Sequence, residues 1–122
     1  MVEITSRVQE AVSQSGVKDG LATVFVPHTT AAVTINEAAD PSVTRDILQG
    51  LEKIVPYRAA YYQHREGNSD AHLKASLLGS SVNVPVEGGH LVLGTWQGIF
   101  FCEFDGPRQR QFYVLVAGES PR

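Results

Sequence analysis

The chain lacks the cysteines that would cross-link it. Its 122 residues include one cysteine, Cys102, so an internal disulfide is excluded. A lone thiol fits a reducing compartment, and we expect a cytoplasmic protein. Because Cys102 lies in the apolar stretch 99–104, we interpret it as a small buried core residue and not as a nucleophile.

Positive charge and long apolar runs are also scarce. Ten Lys and Arg residues stand against 13 Asp and Glu residues, which gives a net charge of −3. The densest basic spot, Arg108-Gln109-Arg110, is interpreted as a solvated turn. Phosphate contacts to nucleic acid need an excess of positive charge, so we expect no nucleic-acid partner. No apolar run approaches the ~20 residues of a membrane span, and no signal-peptide pattern opens the chain, so we expect no membrane partner.

Three widespread catalytic motifs are missing. The sequence contains no Walker phosphate loop, no Gly-x-Gly-x-x-Gly and no Gly-x-Ser-x-Gly. We therefore expect no nucleotide cofactor held by such loops, and a serine-hydrolase triad has no motif support. A hydrophobic content of 43% and the length of the chain predict one globular domain over residues 1–122.

Periodicity and capping residues predict the secondary structure. Helices are expected at 6–15, from Asp40 to just before Pro56, and, more briefly, at 70–78. Ser6 with Gln9 has capping-box spacing, and Asp40 and Asp70 are the expected caps of the other two helices. Strands are expected at 21–26, 31–35, 81–86, 90–93, 98–104 and 111–117, with a Gly88-Gly89 hairpin. This partial segregation predicts an α+β fold, with a mixed or antiparallel sandwich-like sheet core and two to three helices.

Three of the four histidines fall in two polar segments. His28 follows the apolar run 21–27, and His64 and His72 bound a nine-residue segment around Gly67. If the two segments converge, three imidazoles can hold a divalent metal, most simply zinc. The alternative is that these are surface loop histidines with local hydrogen bonds. His90 is interpreted as an ordinary strand-end residue.

Two carboxylates are candidates for acid–base chemistry. Asp70 lies two residues before His72 and could orient a ligand or act as a base. Glu37 lies at the end of the second predicted strand and could be a general base or a metal ligand. The alternative for Glu37 is an exposed loop acid.

A candidate phosphate site follows the third predicted helix. Ser80 and Ser81 come directly after Gly79, and Lys74 lies about one helical turn earlier. Such a turn offers backbone N–H groups and hydroxyls to an oxyanion. The alternative is an ordinary helix C-cap and loop.

Five short segments occur together in a fixed order. They are VPHTTAA at 26–32, NEAADP at 36–41, NSDAH at 68–72, LGTWQG at 93–98 and CEFDGPR at 102–108. In this order they resemble the YjbQ family, and the resemblance runs from about residue 2 to residue 119.

The resemblance implies more than the spacing does. It implies a small α+β domain that assembles as a homotrimer, with polar motif positions at His28, Glu37, His64, Asp70 and His72. Some members of the family carry the name secondary thiamine-phosphate synthase, for a reaction that joins a pyrimidine-methyl diphosphate to a thiazole phosphate. Relatives commonly carry a further strand before the first helix, whereas this chain begins almost at that helix. We therefore expect an edge of the sheet to be shorter or differently covered.

The sequence thus leaves two functions open. The leading hypothesis is a metal-dependent enzyme that acts on a small molecule, with a phosphorylated molecule as one candidate and weak thiamine-phosphate synthase activity as a secondary activity. Zinc suits three histidines, whereas the departure of diphosphate would call for magnesium. The alternative is a non-catalytic trimeric module that binds a small anion or a metal.

Overall fold

The computed structural model describes residues 1–119, and residues 120–122 of the predicted single domain lie outside the described part. Ten elements follow one another along the chain. They are β1 (Val2–Glu3), α1 (Thr5–Ser15), β2 (Asp19–Phe25), β3 (Ala31–Glu37), α2 (Pro41–Ile54), α3 (Ser69–Leu78), β4 (Ser81–Glu87), β5 (His90–Leu91), β6 (Gln97–Glu103) and β7 (Tyr113–Glu119).

The strands form two antiparallel sheets. One has the order β1-β6-β3 and the other the order β5-β4-β2-β7. The predicted α+β class is confirmed, because three helices accompany sheets in which every pairing is antiparallel. The strand before α1 is present and has two residues, which pair with Phe100 and Phe101 of β6.

The main core lies between the two sheets and α1. It combines Val24 and Val84 of the larger sheet with Val33 and Ile99 of the smaller sheet, and Val8 of α1 joins them. All five side chains have 2% exposure or less, which places their apolar surface out of water. Alternate strand residues point to opposite faces, so the smaller sheet presents its other face to α3.

Cys102 lies on that other face of the smaller sheet. It packs with Ala32, Ala75 and Phe100, and its side chain is fully buried. Burial raises the pKa of the Cys102 thiol to about 11, so the thiolate does not form at neutral pH. The prediction of a small core residue is confirmed.

Helix α2 is less tightly held than the other two. Asp40 caps it as predicted, since the Ser42 N–H donates to Asp40 Oδ1 at 2.9 Å. None of its residues is buried, although Leu48 and Leu51 are partly covered. Over residues 1–119, no helix has the length and apolarity needed to cross a membrane.

The expected capping box at Ser6 is wrong. Helix α1 begins one residue earlier, with Ile4 at the N-cap and no side-chain capping bond. Gln9, the other member of the proposed box, instead donates to the Gly89 carbonyl at 3.0 Å and accepts from the Leu91 N–H at 2.9 Å. Its amide thus stabilises the hairpin, where both glycines adopt the positive φ that the tight turn requires.

The expected cap at Asp70 is also wrong. Helix α3 begins at Ser69, with Asn68 at the N-cap, which places Asp70 inside the first turn. The Asp70 carboxylate lies 3.1 Å from Nζ of Lys74, one turn further along the helix. An ion pair with a buried lysine therefore takes the place of a capping bond.

Candidate functional site

The three candidate histidines line one surface groove. His28, His64 and His72 surround a volume of about 430 Å³, which we call the histidine groove. Its remaining walls include Thr30, Glu66, Asn68, Asp105, Arg108 and Arg110. The convergence on which the sequence hypothesis depended is therefore present within a single chain.

Each histidine reaches the groove from a different part of the chain. His28 lies in the connection between β2 and β3, His64 in the segment between α2 and α3, and His72 in the first turn of α3. The rings of His64 and His72 lie edge to face, with centroids 5.3 Å apart and planes at 89°. These two imidazoles form a contacting pair.

His28 is held by the backbone next to β7. The Gln111 N–H donates a hydrogen bond to His28 Nε2 at 3.1 Å. A neutral imidazole has one ring nitrogen with a lone pair and one with a proton, so the proton of neutral His28 lies on Nδ1. The lone pair of His28 is therefore used by Gln111, and the Nδ1–H is the one polar group of the neutral ring that this contact leaves unpaired.

As placed, the residues do not form a metal site. Within residues 1–119, no three His, Cys, Asp or Glu side chains come together in a group that could hold a metal ion. Zinc ligation by His28 at Nε2 would cost its bond to Gln111, because metal and N–H would compete for one lone pair. Zinc binding at His28, His64 and His72 stays a prediction from the sequence.

The connection between β6 and β7 organises the groove. Arg110 donates from both Nε and Nη2 to Glu103, at 2.6 Å each, and from Nη2 to Thr30 Oγ1 at 2.8 Å. Arg110 is 12% exposed, so the interpretation of this basic spot as a solvated turn is wrong for that residue. The hydrogen bonds from Arg110 lower the pKa of the Glu103 carboxyl and keep it charged.

Asp105 fixes the other side of the groove. It accepts from Asn68 Nδ2 at 2.7 Å and from Arg108 Nη2 at 2.9 Å. The bond from Asn68, with the charge of Arg108, lowers the pKa of the Asp105 carboxyl. The start of α3, which carries His72, is thereby tied to the same connection that holds His28.

Glu37 is not brought to the histidines of its own chain. It is the last residue of β3, whereas His28 lies just before the first. A strand of seven residues spans about 20 Å, so the two side chains lie at opposite ends of the molecule's smaller sheet. A catalytic role for Glu37 stays a prediction.

Asp70 and Lys74 lie beside the groove in a second depression, which we call the acidic cavity. It has a volume of about 530 Å³ and is bounded by α2, α3 and the start of the β6–β7 connection. Lys74 is 4% exposed and is paired with Asp70 and Glu52. Burial alone would lower the pKa of Lys74, but these two carboxylates outweigh it and the pKa is raised.

The predicted phosphate site is divided by the fold. Ser80 lines a groove of about 460 Å³ together with His28, His72 and Ser76, so this serine does adjoin the histidines. Ser81 begins β4 and pairs with Phe25. Lys74 is engaged with carboxylates on another side of α3. Of the three predicted phosphate ligands, the structure places Ser80 with the histidines, while all three roles stay untested.

Five residues of the site were missed as contributors by sequence reasoning. They are Thr30, Asn68, Asp105, Arg110 and Gln111. Each acts by a contact to a distant part of the chain, such as the one between Asn68 and Asp105. The only sequence signal is that three of them, Thr30, Asn68 and Asp105, lie within the five motif segments.

Comparisons with known proteins agree with the fold. A family model described as UPF0047 protein YjbQ-like matches residues 1–119. UPF0047 protein MJ1081 of Methanocaldococcus jannaschii is 54% identical over 98% of this chain and 86% of its own length. UPF0047 protein YugU of Bacillus subtilis is 48% identical over 97% and 89%, respectively.

Solved structures extend the comparison. A yjbq/upf0047 family protein from Clostridium acetobutylicum has a TM-score of 0.93 and 59% identity, covering 95% of this chain and 89% of that one. A YbjQ-like protein of unknown function from Sulfolobus solfataricus has a TM-score of 0.92 and 40% identity, covering 97% and 86%. At these TM-scores and coverages the likeness extends over nearly the whole fold.

Replacing Glu103 with Gln should destabilise the fold in a pH-dependent way. The variant leaves Arg110 without its anionic partner, so we expect a loss of about 1–3 kcal/mol in the free energy of unfolding at pH 7. The pKa of Glu103 is lowered in the folded state, so its contribution is full above its ordinary pKa of 4.5 and is lost as pH falls through the lowered value. Urea unfolding at pH 7 and pH 3 measures both effects.

Glu87→Gln is the matched control, because Glu87 is an exposed carboxylate at the far end of β4. It should change the free energy of unfolding by no more than about 0.5 kcal/mol. An equal effect of the two variants at pH 7, or a Glu103→Gln deficit that is the same at pH 3, would contradict the assignment.

Proposed function

The chain belongs to the YjbQ-like UPF0047 family, and we propose that its histidine groove is the site of a small enzyme that binds a phosphorylated or similarly anionic small molecule. The observation that carries the proposal is the hydrogen bond from Gln111 N–H to His28 Nε2. It commits the lone pair of His28 and leaves an N–H donor for the ligand. Donors, and not metal-ligating lone pairs, are what a phosphate oxygen requires.

Other groups at the groove suit the same ligand. The guanidinium of Arg108 carries five N–H bonds, and its contacts with Asp105 use two of them. The exposed Ser80 lies in the adjoining groove, which shares His28 and His72 with the histidine groove, and it offers a hydroxyl. Together these donors can bind an oxyanion from several directions.

The arrangement favours transfer or hydrolysis at a phosphate ester or diphosphate. As a phosphate or diphosphate group departs, negative charge accumulates on its oxygens, and preorganised N–H donors stabilise that charge. One of the paired imidazoles, His64 or His72, can donate the proton that the leaving oxygen takes up. The thiamine-phosphate synthase reaction implied by the resemblance is one member of this class.

Inorganic phosphate should bind to the groove and perturb the resonances of His28, His64 and His72. His28→Ala should weaken this binding by about tenfold, since a hydrogen bond to a charged group contributes about 1.5 kcal/mol or more. An NMR titration of ¹⁵N-labelled protein with phosphate gives both the location and the affinity.

His90→Ala is the matched control for that titration, because His90 is an exposed histidine on β5, outside the groove. Phosphate affinity should be the same in His90→Ala and in the wild type, and thermal melts establish that both variants are folded. Shifts scattered over the surface, or equal affinities of the His28 and His90 variants, would refute phosphate binding in the groove.

Zinc binding is the second candidate, and the contacting His64–His72 pair favours it. Two adjacent imidazoles already supply half of a tetrahedral coordination shell. If zinc is bound, His72→Ala should remove most of the metal found in the purified protein by elemental analysis. His90→Ala should remove none. An equal metal content in the wild type, His72→Ala and His90→Ala would show that His72 is not a ligand.

We also propose that the chain is a homotrimer, as the resemblance implies. The outer face of the larger sheet carries the exposed apolar side chains Leu21, Phe25, Tyr113 and Leu115. Phe25 and Tyr113 are directly opposite each other on β2 and β7, and Leu115 lies two residues further along. A contiguous apolar face of this kind is typical of a subunit interface.

Size-exclusion chromatography with light scattering should give about 40 kDa, three times the 13.3 kDa chain. Leu115 is 67% exposed in the single chain, so Leu115→Glu should leave the monomer folded and place a charge in the interface. We expect dissociation of this variant at micromolar concentration. Leu77→Glu, at an exposed leucine on α3, should leave the mass unchanged. A wild-type mass of 13.3 kDa would contradict the trimer.

A further inference from the structure

The acidic cavity and the histidine groove are neighbours that share a wall. Glu66, Asn68 and Asp105 line both. On the cavity side, α2 contributes the apolar side chains of Leu48 and Leu51. A small molecule bound in the groove could therefore extend past Asn68 into the cavity.

The two compartments differ in charge. Five carboxylates line the acidic cavity, and Lys74 is the one cation among its lining residues. Lys74 is already paired with Glu52 and Asp70. Glu103 is paired with Arg110, and Asp105 is paired with Arg108, and both arginines line the groove. The carboxylate that these pairs leave for a ligand is Glu66, which is 66% exposed and whose Oε1 lies 3.9 Å from Nε2 of the His64 imidazole.

Asn68 gives a second and independent indication of a ligand. This side chain is 8% exposed, and its Nδ2 donates to Asp105. Its Oδ1 is buried and has no hydrogen-bond partner among residues 1–119. Buried acceptors are normally paired, because desolvation without a hydrogen bond is unfavourable. Asn68 lines both compartments, so its carboxamide oxygen is a polar group of the shared wall that lacks a donor in the described part of the chain.

We propose that the acidic cavity binds a protonated amine that belongs to the same small molecule whose phosphate the histidine groove holds. The inference rests on the proposed function for the anionic end of that molecule. Glu66 supplies the counter-charge, the Asn68 carboxamide accepts an N–H, and the apolar wall from α2 contacts the carbon body between the charged ends. A second anionic group is disfavoured there, because it would face the cavity carboxylates.

Matched pairs of ligands test the proposal. The probes are ω-aminoalkyl phosphates with chains of two to four carbons, each compared with the alkyl phosphate of the same length. In calorimetric titrations, the best aminoalkyl phosphate should bind about tenfold more tightly than its uncharged partner, since a charge-assisted contact is added. The dependence on chain length reports the distance between the two compartments.

Glu66→Gln and Glu87→Gln form a matched pair of variants. In Glu66→Gln the gain from the amino group should fall to about threefold or less, because the counter-charge is lost while the shape is kept. In Glu87→Gln, at a carboxylate that lines neither compartment, the tenfold gain should persist. NMR shifts at Leu48 and Tyr57 should accompany binding of the aminoalkyl phosphates and be small for the alkyl phosphates.

Equal affinities within every ligand pair, or a gain with no shifts at Leu48 and Tyr57, would overturn the proposal. The result for inorganic phosphate separates this failure from that of the proposed function. If phosphate shifts the histidines but the amino group adds nothing, the cavity assignment is wrong and the groove assignment stands. If phosphate does not bind, the groove assignment is wrong. Propylamine, which has no phosphate, then tests the cavity by itself: shifts at Tyr57 support the amine site, and their absence refutes it.

Discussion

The bidentate ion pair between Arg110 and Glu103 joins the two ends of the β6–β7 connection, and the geometry of the groove depends on this ion pair. Arg110 also donates a hydrogen bond to the Thr30 hydroxyl, two residues after His28. The backbone N–H of the next residue, Gln111, donates to the His28 ring. At the other end of the connection, Asp105 is bonded to Asn68 at the start of α3. One short connection thus fixes two segments that are distant in sequence, the one with His28 and the one with His72, and both histidines line the groove.

The same connection also separates charges of opposite sign. Arg108 and Arg110 lie on the groove side, with the imidazoles, whereas Glu52 and Asp70 face the acidic cavity and Glu66 lines both. Asn68 lies between them as a neutral, buried carboxamide. Because opposite charges on a ligand would be stabilised on opposite sides of Asn68, the arrangement suits a small molecule with an anionic and a cationic end better than a simple anion.

Local patterns predicted what local physics determines. The Asp40 cap, the hairpin at Gly88-Gly89 and the burial of Cys102 all follow from residues close in sequence, and all three were correct. Prediction failed at the expected caps Ser6 and Asp70 because other contacts took the place of capping bonds. Gln9 bonds to the distant β4–β5 hairpin, and Asp70 pairs with the buried Lys74 one turn along α3. In the site, the sequence identified the three histidines but not the residues that orient them, since contacts such as Asn68 to Asp105 have no periodic signature.

The protonation of His28 decides between an anion-binding groove and a metal site. Long-range ¹H–¹⁵N correlation spectra of the histidine side chains, recorded above pH 7 on the purified protein, report which ring nitrogen carries the proton. We expect His28 to carry it on Nδ1, with an unprotonated Nε2 that accepts the hydrogen bond from Gln111. A His28 ring protonated at Nε2, or one whose nitrogen shifts indicate a bound metal, would contradict the account.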